Sequence, residues 1–245
     1  DLAAFRKLGL PFWLAGSFGG PEKLKFALAE GAAGIQVGTA FAFCEEAGVT
    51  SELKARAIEK WGIGESKDTI FTDPVASPTG FPFKVVPLAK SLSEKENYEA
   101  CPRKCDLGYL REASVDAAGN LIYRCSSEPV EDYLKKGGLL EETKGRKCLC
   151  NALMANIGMA QIQKVKGSEE KYIEEALLTA GDDIIYLKKY LKPGESTYSA
   201  KSVIAYLIGD LDQKLEKKSN FFDVDQVINQ DVNQLGESRN SAEFF

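Results

Sequence analysis

Histidine is absent from the 245-residue chain, which removes the side chain that most often serves as a general base or metal ligand near neutral pH. Acid–base chemistry here would therefore rest on Asp, Glu, Lys, Tyr or Cys. An excess of basic residues is also absent, because 31 Lys and Arg stand against 36 Asp and Glu. The net charge of −5 argues against a nucleic-acid-binding surface, which needs clustered positive charge.

Long hydrophobic runs are missing as well, so the sequence predicts no membrane span. The apolar stretch 8–15 is interrupted by Pro11, which argues against a signal peptide, and we expect a cytoplasmic protein. The first residue is Asp1 rather than Met, and Leu2, Phe5 and Leu8 have the spacing of the end of an amphipathic helix. We therefore expect a fragment of a longer protein, although a cleaved tag or a disordered start is the simpler alternative.

Residues 1–62 have the pattern of an α/β unit. An apolar strand is predicted at 12–15 and a second at 34–37, with a helix between them that begins at Pro21 and ends at Gly31. A further helix is predicted at 51–61, with Ser51 as its N-cap. Two strands joined by a helix in this way form a parallel βαβ unit.

The remainder of the chain divides into three regions. Residues 63–165 are rich in Gly and Pro and contain five of the six cysteines, which predicts an irregular extension with short helices near 129–136 and 151–160. Residues 166–218 have apolar residues at helical spacing, which predicts a helix through 172–180, a second at about 184–187 and a third capped by Ser199. Residues 219–245 form a polar tail.

Each predicted strand is followed by a turn that can hold an anion. Gly16 and Ser17, with Gly19 and Gly20, precede a helix whose positive end points at the turn. The second turn follows a strand in which Gln36 is the polar residue, placed to touch a ligand. The alternative for either turn is a tight connection without a ligand. The candidate phosphate-binding residues are Gly16, Ser17, Gln36, Val37, Gly38 and Thr39.

Two further features allow two interpretations each. The Pro-rich stretch 74–84 either places Phe81, Phe83 and Lys84 as a lid over a ligand or, as we favour, wraps the outside of the body. The cysteines are most simply free thiols, but four of them resemble two halves of a thiolate metal site, and Cys125 is a further candidate ligand. Neighbouring basic residues would lower a thiol pKa, or else form a solvated face. The four cysteines are Cys101, Cys105, Cys148 and Cys150.

Six runs occur in a fixed order along residues 1–208: PFWLAG at 11–16, GIQVGTAF at 34–41, FTDP at 71–74, SPTGFPFK at 77–84, CDLGYLR at 105–111 and GRKCLCN at 145–151. Together they resemble the C-terminal part of the nitronate monooxygenase (2-nitropropane dioxygenase-like) family. The resemblance implies the last two βα units of a (β/α)8 TIM barrel, followed by an irregular and helical C-terminal extension. It also implies an FMN-dependent oxidoreductase that oxidises alkyl nitronates with O2.

The same resemblance assigns the FMN phosphate to the two turns, through Gly16 and Ser17 in the first and residues 36–39 in the second. Ser17 departs from the family, in which many members have a second glycine. The family's catalytic His and its flavin-ring contacts would lie in an N-terminal half of the barrel, upstream of Asp1. The catalytic residues therefore stay unknown.

Two other functions remain open on the sequence. One is an enoyl-thioester reductase with the same kind of flavin barrel and the same phosphate turns. The other is a non-catalytic interaction module, derived from such an enzyme and stabilised by a metal held between thiolates.

Overall fold

The computed structural model describes residues 1–63, 66, 68–164, 169 and 171–209. Asp1–Leu207 form one compact unit, and of a second unit, Ile208–Phe245, only residues 208 and 209 are described. The α-helices are α1 (Leu2–Lys7), α2 (Pro21–Ala29), α3 (Thr39–Ala42), α4 (Ser51–Ala57), α5 (Lys95–Ala100), α6 (Val130–Lys135), α7 (Leu149–Ala155) and α8 (Ala200–Ile208). A π-helical turn covers Ile58–Ile63, and 3₁₀ helices cover Leu140–Thr143 and Asp182–Tyr190.

The strands are short and pair only two at a time in the described part of the chain. They are β1 (Trp13–Leu14), β2 (Gly34–Ile35), β3 (Phe71–Asp73), β4 (Phe83–Val85), β5 (Glu112–Val115), β6 (Leu121–Arg124), β7 (Ile162–Lys164) and β8 (Lys171–Ile173). The β1–β2 pair is parallel, with Trp13 opposite Gly34, and the three other pairs are antiparallel. The fold is therefore mixed α/β, and the described strands do not close into a barrel.

The predicted βαβ unit is present as β1, α2 and β2. Pro21 is the first residue of α2, and the helix ends just before Gly31, whose φ of +80° suits glycine. The first strand is apolar as predicted, but one face of it is open, because Trp13 is 58 % exposed. Leu28 of α2 is exposed as well.

The larger core forms where α3, α4, the π-helical turn, the 3₁₀ helix Asp182–Tyr190 and α8 meet. Its fully buried side chains include Phe43, Ile58, Trp61, Ile184 and Leu187. Thr50, not Ser51, is the N-cap of α4, because its hydroxyl accepts a hydrogen bond from the Leu53 amide. The helix predicted at 51–61 is α-helical only to Ala57 and then widens into the π-helical turn.

A smaller core lies under the extension, where Val85, Leu92, Leu149, Ala152 and Leu177 pack together. The helices predicted near 129–136 and 151–160 correspond to α6 and α7, although α7 begins and ends earlier than expected.

The helix predicted through 172–180 is wrong. Residues Lys171–Ile173 form β8, and the chain then continues extended to Gly181. Leu177 belongs to the smaller core and the adjacent Leu178 to the larger core, which is the alternation of an extended chain and not of a helix. The carbonyl groups of this segment are hydrogen-bonded outside any helix. The Leu178 carbonyl accepts from the Val86 amide and the Ala176 carbonyl from the Leu92 amide, both at 2.9 Å.

The last described helix agrees better with the sequence. Ser199 lies immediately before α8, and its hydroxyl accepts a hydrogen bond from the Ser202 amide at 3.2 Å. Tyr198 and Val203 flank the start of α8 and are both buried, which is typical of a hydrophobic staple, whereas Ile204 is 49 % exposed. The predicted continuation to residue 218 and the tail 219–245 lie outside the described residues. Among the helices that are described, none has both the length and the apolarity to cross a membrane.

Adjacent isoleucines in the 3₁₀ helix provide a test of the larger core. We expect Ile184→Ala to lower the free energy of unfolding by about 2–5 kcal/mol, because Ile184 is 0 % exposed and its removal leaves a cavity. Ile185→Ala is the matched control, since Ile185 is 46 % exposed, and we expect a change below about 1 kcal/mol. Urea denaturation of both variants measures the difference, and equal losses would contradict this description of the core.

Candidate functional site

The first glycine turn has an unusual backbone. Gly16 and Ser17 follow β1 with φ values of +78° and +60°, so two consecutive residues are left-handed. Gly20 then precedes α2, and no side chain caps this helix. A Cβ added to Gly16 or Gly20 would meet no atom within 4 Å. The turn therefore leaves space beside the uncapped, partly positive end of a nine-residue helix.

The second turn is similar but more occupied. Gly38 precedes α3, which also has no side-chain cap, and a Cβ on Gly38 would meet open space. The Thr39 hydroxyl accepts a hydrogen bond from the Gly181 amide at 2.9 Å, so this group is already bound within the chain. Val37 packs against the larger core. Gln36 is exposed and follows β2, so the expectation of a polar residue inside a buried strand is wrong.

The structure brings the two turns together. A Cβ built on Gly19 would lie 3.5 Å from Val37 Cγ1, which places the first turn against the second at the same end of the parallel pair. They nevertheless open into different cavities. Ser17, Gly19 and Gly20 line a cavity of about 310 Å³, whereas Gly38 and Thr39 line another of about 610 Å³.

The segment 180–183 separates these two cavities. Gly181 contacts Thr39 in the second, and Asp183 Oδ2 lies 3.6 Å from the position of a Cβ on Gly19 in the first. Asp182 pairs with Lys84, and Lys23 and Lys189 also line the first cavity. The glycines and the uncapped helix ends fit a phosphate group, but a carboxylate beside Gly19 repels one. A phosphate group could therefore contact both turns only if residues 181–183 moved out of the space between them.

The Pro-rich segment does more than wrap the outside. Phe81, Phe83 and Lys84 all line the second cavity with Gly38 and Thr39, so the lid interpretation fits the geometry better than the favoured outer arm. β4 holds Phe83 and Lys84 in place through its pairing with β3. The cavity thus has an aromatic wall with one cation at its edge.

The six cysteines are free thiols. Three cysteine-bearing segments are tied together by hydrogen bonds: Asn151 Nδ2 donates to Asp106 Oδ2 at 3.2 Å, and Ser127 Oγ donates to the Lys147 carbonyl at 2.7 Å. Within the residues that are described, however, no group of three His, Cys, Asp or Glu side chains could hold a metal ion. The thiolate metal site predicted as an alternative therefore gains no support.

Basic neighbours do not activate these thiols, contrary to one sequence interpretation. Burial raises the pKa of Cys101 to about 11 and that of Cys148 to about 12, since a thiolate is poorly solvated there. Arg103 and Arg146 do not form a solvated face either, because their guanidinium groups donate to main-chain carbonyls. Arg103, for example, binds the Thr143 carbonyl at 2.7 Å.

Two buried ionisable residues were not selected from the sequence. Glu174 is 3 % exposed and Lys147 is 8 % exposed, and both line a cavity in the extension. Glu174 lies within the wrongly predicted helix, and Lys147 is one of the basic residues near the cysteines that were expected either to lower a thiol pKa or to form a solvated face. No local pattern in the sequence marks either residue as buried.

Comparisons with known proteins add no further constraint. The chain matches no protein-family model, no curated protein and no solved structure.

The raised thiol pKa values predict slow alkylation. At pH 8 we expect Cys101 and Cys148 to react with iodoacetamide at least about tenfold more slowly than the same thiols in the urea-unfolded chain, because the thiolate is the nucleophile. Peptide mass spectrometry over time gives the rate at each cysteine. Equal rates in the folded and unfolded chain would show that burial does not control these thiols.

Proposed function

We propose that this chain is the C-terminal portion of an FMN-dependent (β/α)8-barrel oxidoreductase, to which it contributes the last two βα units and an extension. The observation that carries the proposal is the parallel β1–α2–β2 unit, in which two adjacent glycine turns precede uncapped helices. Loops at this end of a parallel barrel are where phosphate groups of cofactors bind.

The uncovered face of the strand pair supports the same proposal. Trp13 and Gly34 lie opposite each other, and the Trp13 ring lies 3.3 Å from the position of a Cβ on Gly34, so they share one face. That face is exposed, whereas Ile35 and Val37 pack against the larger core. Parallel strands are normally covered on both faces, and the interior of a barrel would cover this one.

Within this proposal, the residues that would hold the FMN phosphate are those of the two turns. Gly16 and Ser17 with the start of α2 form one side, and residues 36–39 form the other once residues 181–183, which lie between the turns, are displaced. Bound FMN would supply the redox chemistry of the proposed nitronate oxidation. Phe81 and Phe83 would exclude water from the second cavity, and Lys84 would attract an anionic substrate only on release from its ion pair with Asp182.

The proposed reaction is the oxidation of alkyl nitronates with O2, which rests on the resemblance of the six sequence runs. In this proposal, an N-terminal half of the barrel would supply the catalytic base and the ring contacts. Free thiols at all six cysteines support a reducing compartment, and we place the protein in the cytosol. Assays of the chain joined to its upstream coding sequence would distinguish this reaction from NAD(P)H-dependent reduction of an enoyl thioester.

The chain by itself is expected to bind FMN weakly, because it holds only the phosphate end of the cofactor. The purified 245-residue chain should contain no stoichiometric flavin by absorbance, and riboflavin, which lacks the phosphate, should bind still more weakly than added FMN. A bright, stoichiometric flavin spectrum from the isolated chain would contradict the proposed division of the site.

Two glycines allow a sharper test of phosphate binding. Gly20→Ala and Gly38→Ala place a methyl group in the open space of each turn, at φ values of −164° and −106° that alanine tolerates. We expect each to weaken FMN binding about tenfold, which is 1.4 kcal/mol, without lowering thermal stability.

Gly48→Ala is the matched control, since its Cβ would make only an ordinary contact with Ile157 at 3.8 Å. Fluorescence titration with FMN and with riboflavin separates the phosphate from the ring. If the two turn variants bind FMN as tightly as the Gly48 variant does, the turns only connect a strand to a helix and do not bind the phosphate.

A further inference from the structure

The extension contains a cavity of about 290 Å³ that shares no residue with the two glycine turns. Its wall combines buried polar groups with apolar surface. Lys147 and Glu174 contribute the buried charges, and Leu92, Tyr98 and Pro102 contribute the apolar part. A cavity with few, well-placed polar groups on an apolar lining is typical of small-molecule sites.

Lys147 has donor capacity that the described residues do not use. Its Nζ donates to the Leu92 carbonyl at 3.1 Å and lies 5.1 Å above the Tyr98 ring. The nearest carboxylate oxygen, Asp73 Oδ2, is 3.8 Å away, which is too long for a strong hydrogen bond. An ammonium group has three donors, and a buried cation is stabilised when an anion meets them.

Further positive charge faces the same space. Arg103 and Arg146 also line the cavity, while their carbonyl contacts keep them fixed. The acidic residues of the lining are Glu99 and Glu174, and Asp73 lies beside Lys147, so the three cations outnumber the carboxylates when Glu174 is protonated. The electrostatic balance therefore favours an anionic ligand.

Glu174 is the buried carboxyl group of the cavity, and its ionisation adds negative charge there. It accepts a hydrogen bond from Cys101 Sγ at 3.5 Å, and burial raises the pKa of its carboxyl group to about 7. The ionisable groups that face it are those of Cys101, Asp106, Cys148, Tyr172 and Glu175. Because the thiols and the phenol are neutral near pH 7, the charge at this end changes mainly with Glu174 itself.

We propose that this cavity binds a small organic carboxylate, with the anionic group at Lys147 and the carbon chain against Leu92, Tyr98 and Pro102. The apolar contacts distinguish a carboxylate that carries a carbon chain from an inorganic anion. Glu174 lowers the affinity when it is ionised, because it then adds a second negative charge to the same cavity.

Isothermal titration of the 245-residue chain with propionate tests the proposal, with sulfate and chloride at equal ionic strength as reference anions. Propionate should bind more tightly than either. Lys147→Met, which keeps the length of the side chain, should weaken propionate binding at least about tenfold, or 1.4 kcal/mol. Lys135→Met is the control, because Lys135 is 71 % exposed and lies outside this cavity.

The pH dependence provides an independent readout. Glu174 is protonated at pH 6 and ionised at pH 8, so propionate should bind up to about tenfold more tightly at pH 6, following the protonated fraction of a group with a pKa near 7. Glu174→Gln should remove most of this difference and bind propionate tightly at pH 8. Circular dichroism confirms that each variant is folded.

Three results would overturn the proposal. They are propionate binding no tighter than sulfate or chloride, a folded Lys147→Met variant with unchanged affinity, and a Glu174→Gln variant that keeps the full pH dependence. If Lys147→Met fails to fold, the comparison of anions and the Glu174→Gln variant still decide the outcome.

Discussion

The extended 174–181 segment is the constraint on which the rest of the structure depends. It lies between the two hydrophobic cores and is hydrogen-bonded on both sides, to Val86 and Leu92 along one and to the carbonyl of Ala152 along the other. Its ends reach both candidate sites, since Gly181 donates to Thr39 at the second glycine turn and Glu174 lines the cavity of the extension. The position of one backbone segment therefore sets the geometry of both candidate sites.

The fold could be predicted where local signals determine it. Pro21, Gly31 and Ser199 each mark a helix end by their own conformational or hydrogen-bonding preference, and the structure agrees at all three. The prediction failed at 172–180, because neighbouring apolar residues enter different cores and their spacing happens to suit a helix. At Trp13 the apolar strand was predicted, but the sequence carries no signal that this side chain is exposed.

The residues of the candidate sites also differ in how far the sequence could predict them. Gly16, Ser17, Gly38 and Thr39 could be selected because each turn is formed by consecutive residues after a strand. The insertion of Gly181 and Asp183 between the turns could not be foreseen, since it depends on chain more than 140 residues away from Thr39. Lys147 and Glu174 were likewise hidden, because a buried charge is recognised only once its surroundings are known.

The consecutive buried residues Leu177 and Leu178 have a consequence for variation in chain length. Inserting or deleting one residue before them would exchange the two side chains between the cores, whereas a change of two residues would keep each on its own side. Related sequences that share this architecture should therefore differ in length here by even numbers of residues. Residues 174–181, which reach the second turn through Gly181, would then tolerate far fewer changes in length than other segments without helix or strand.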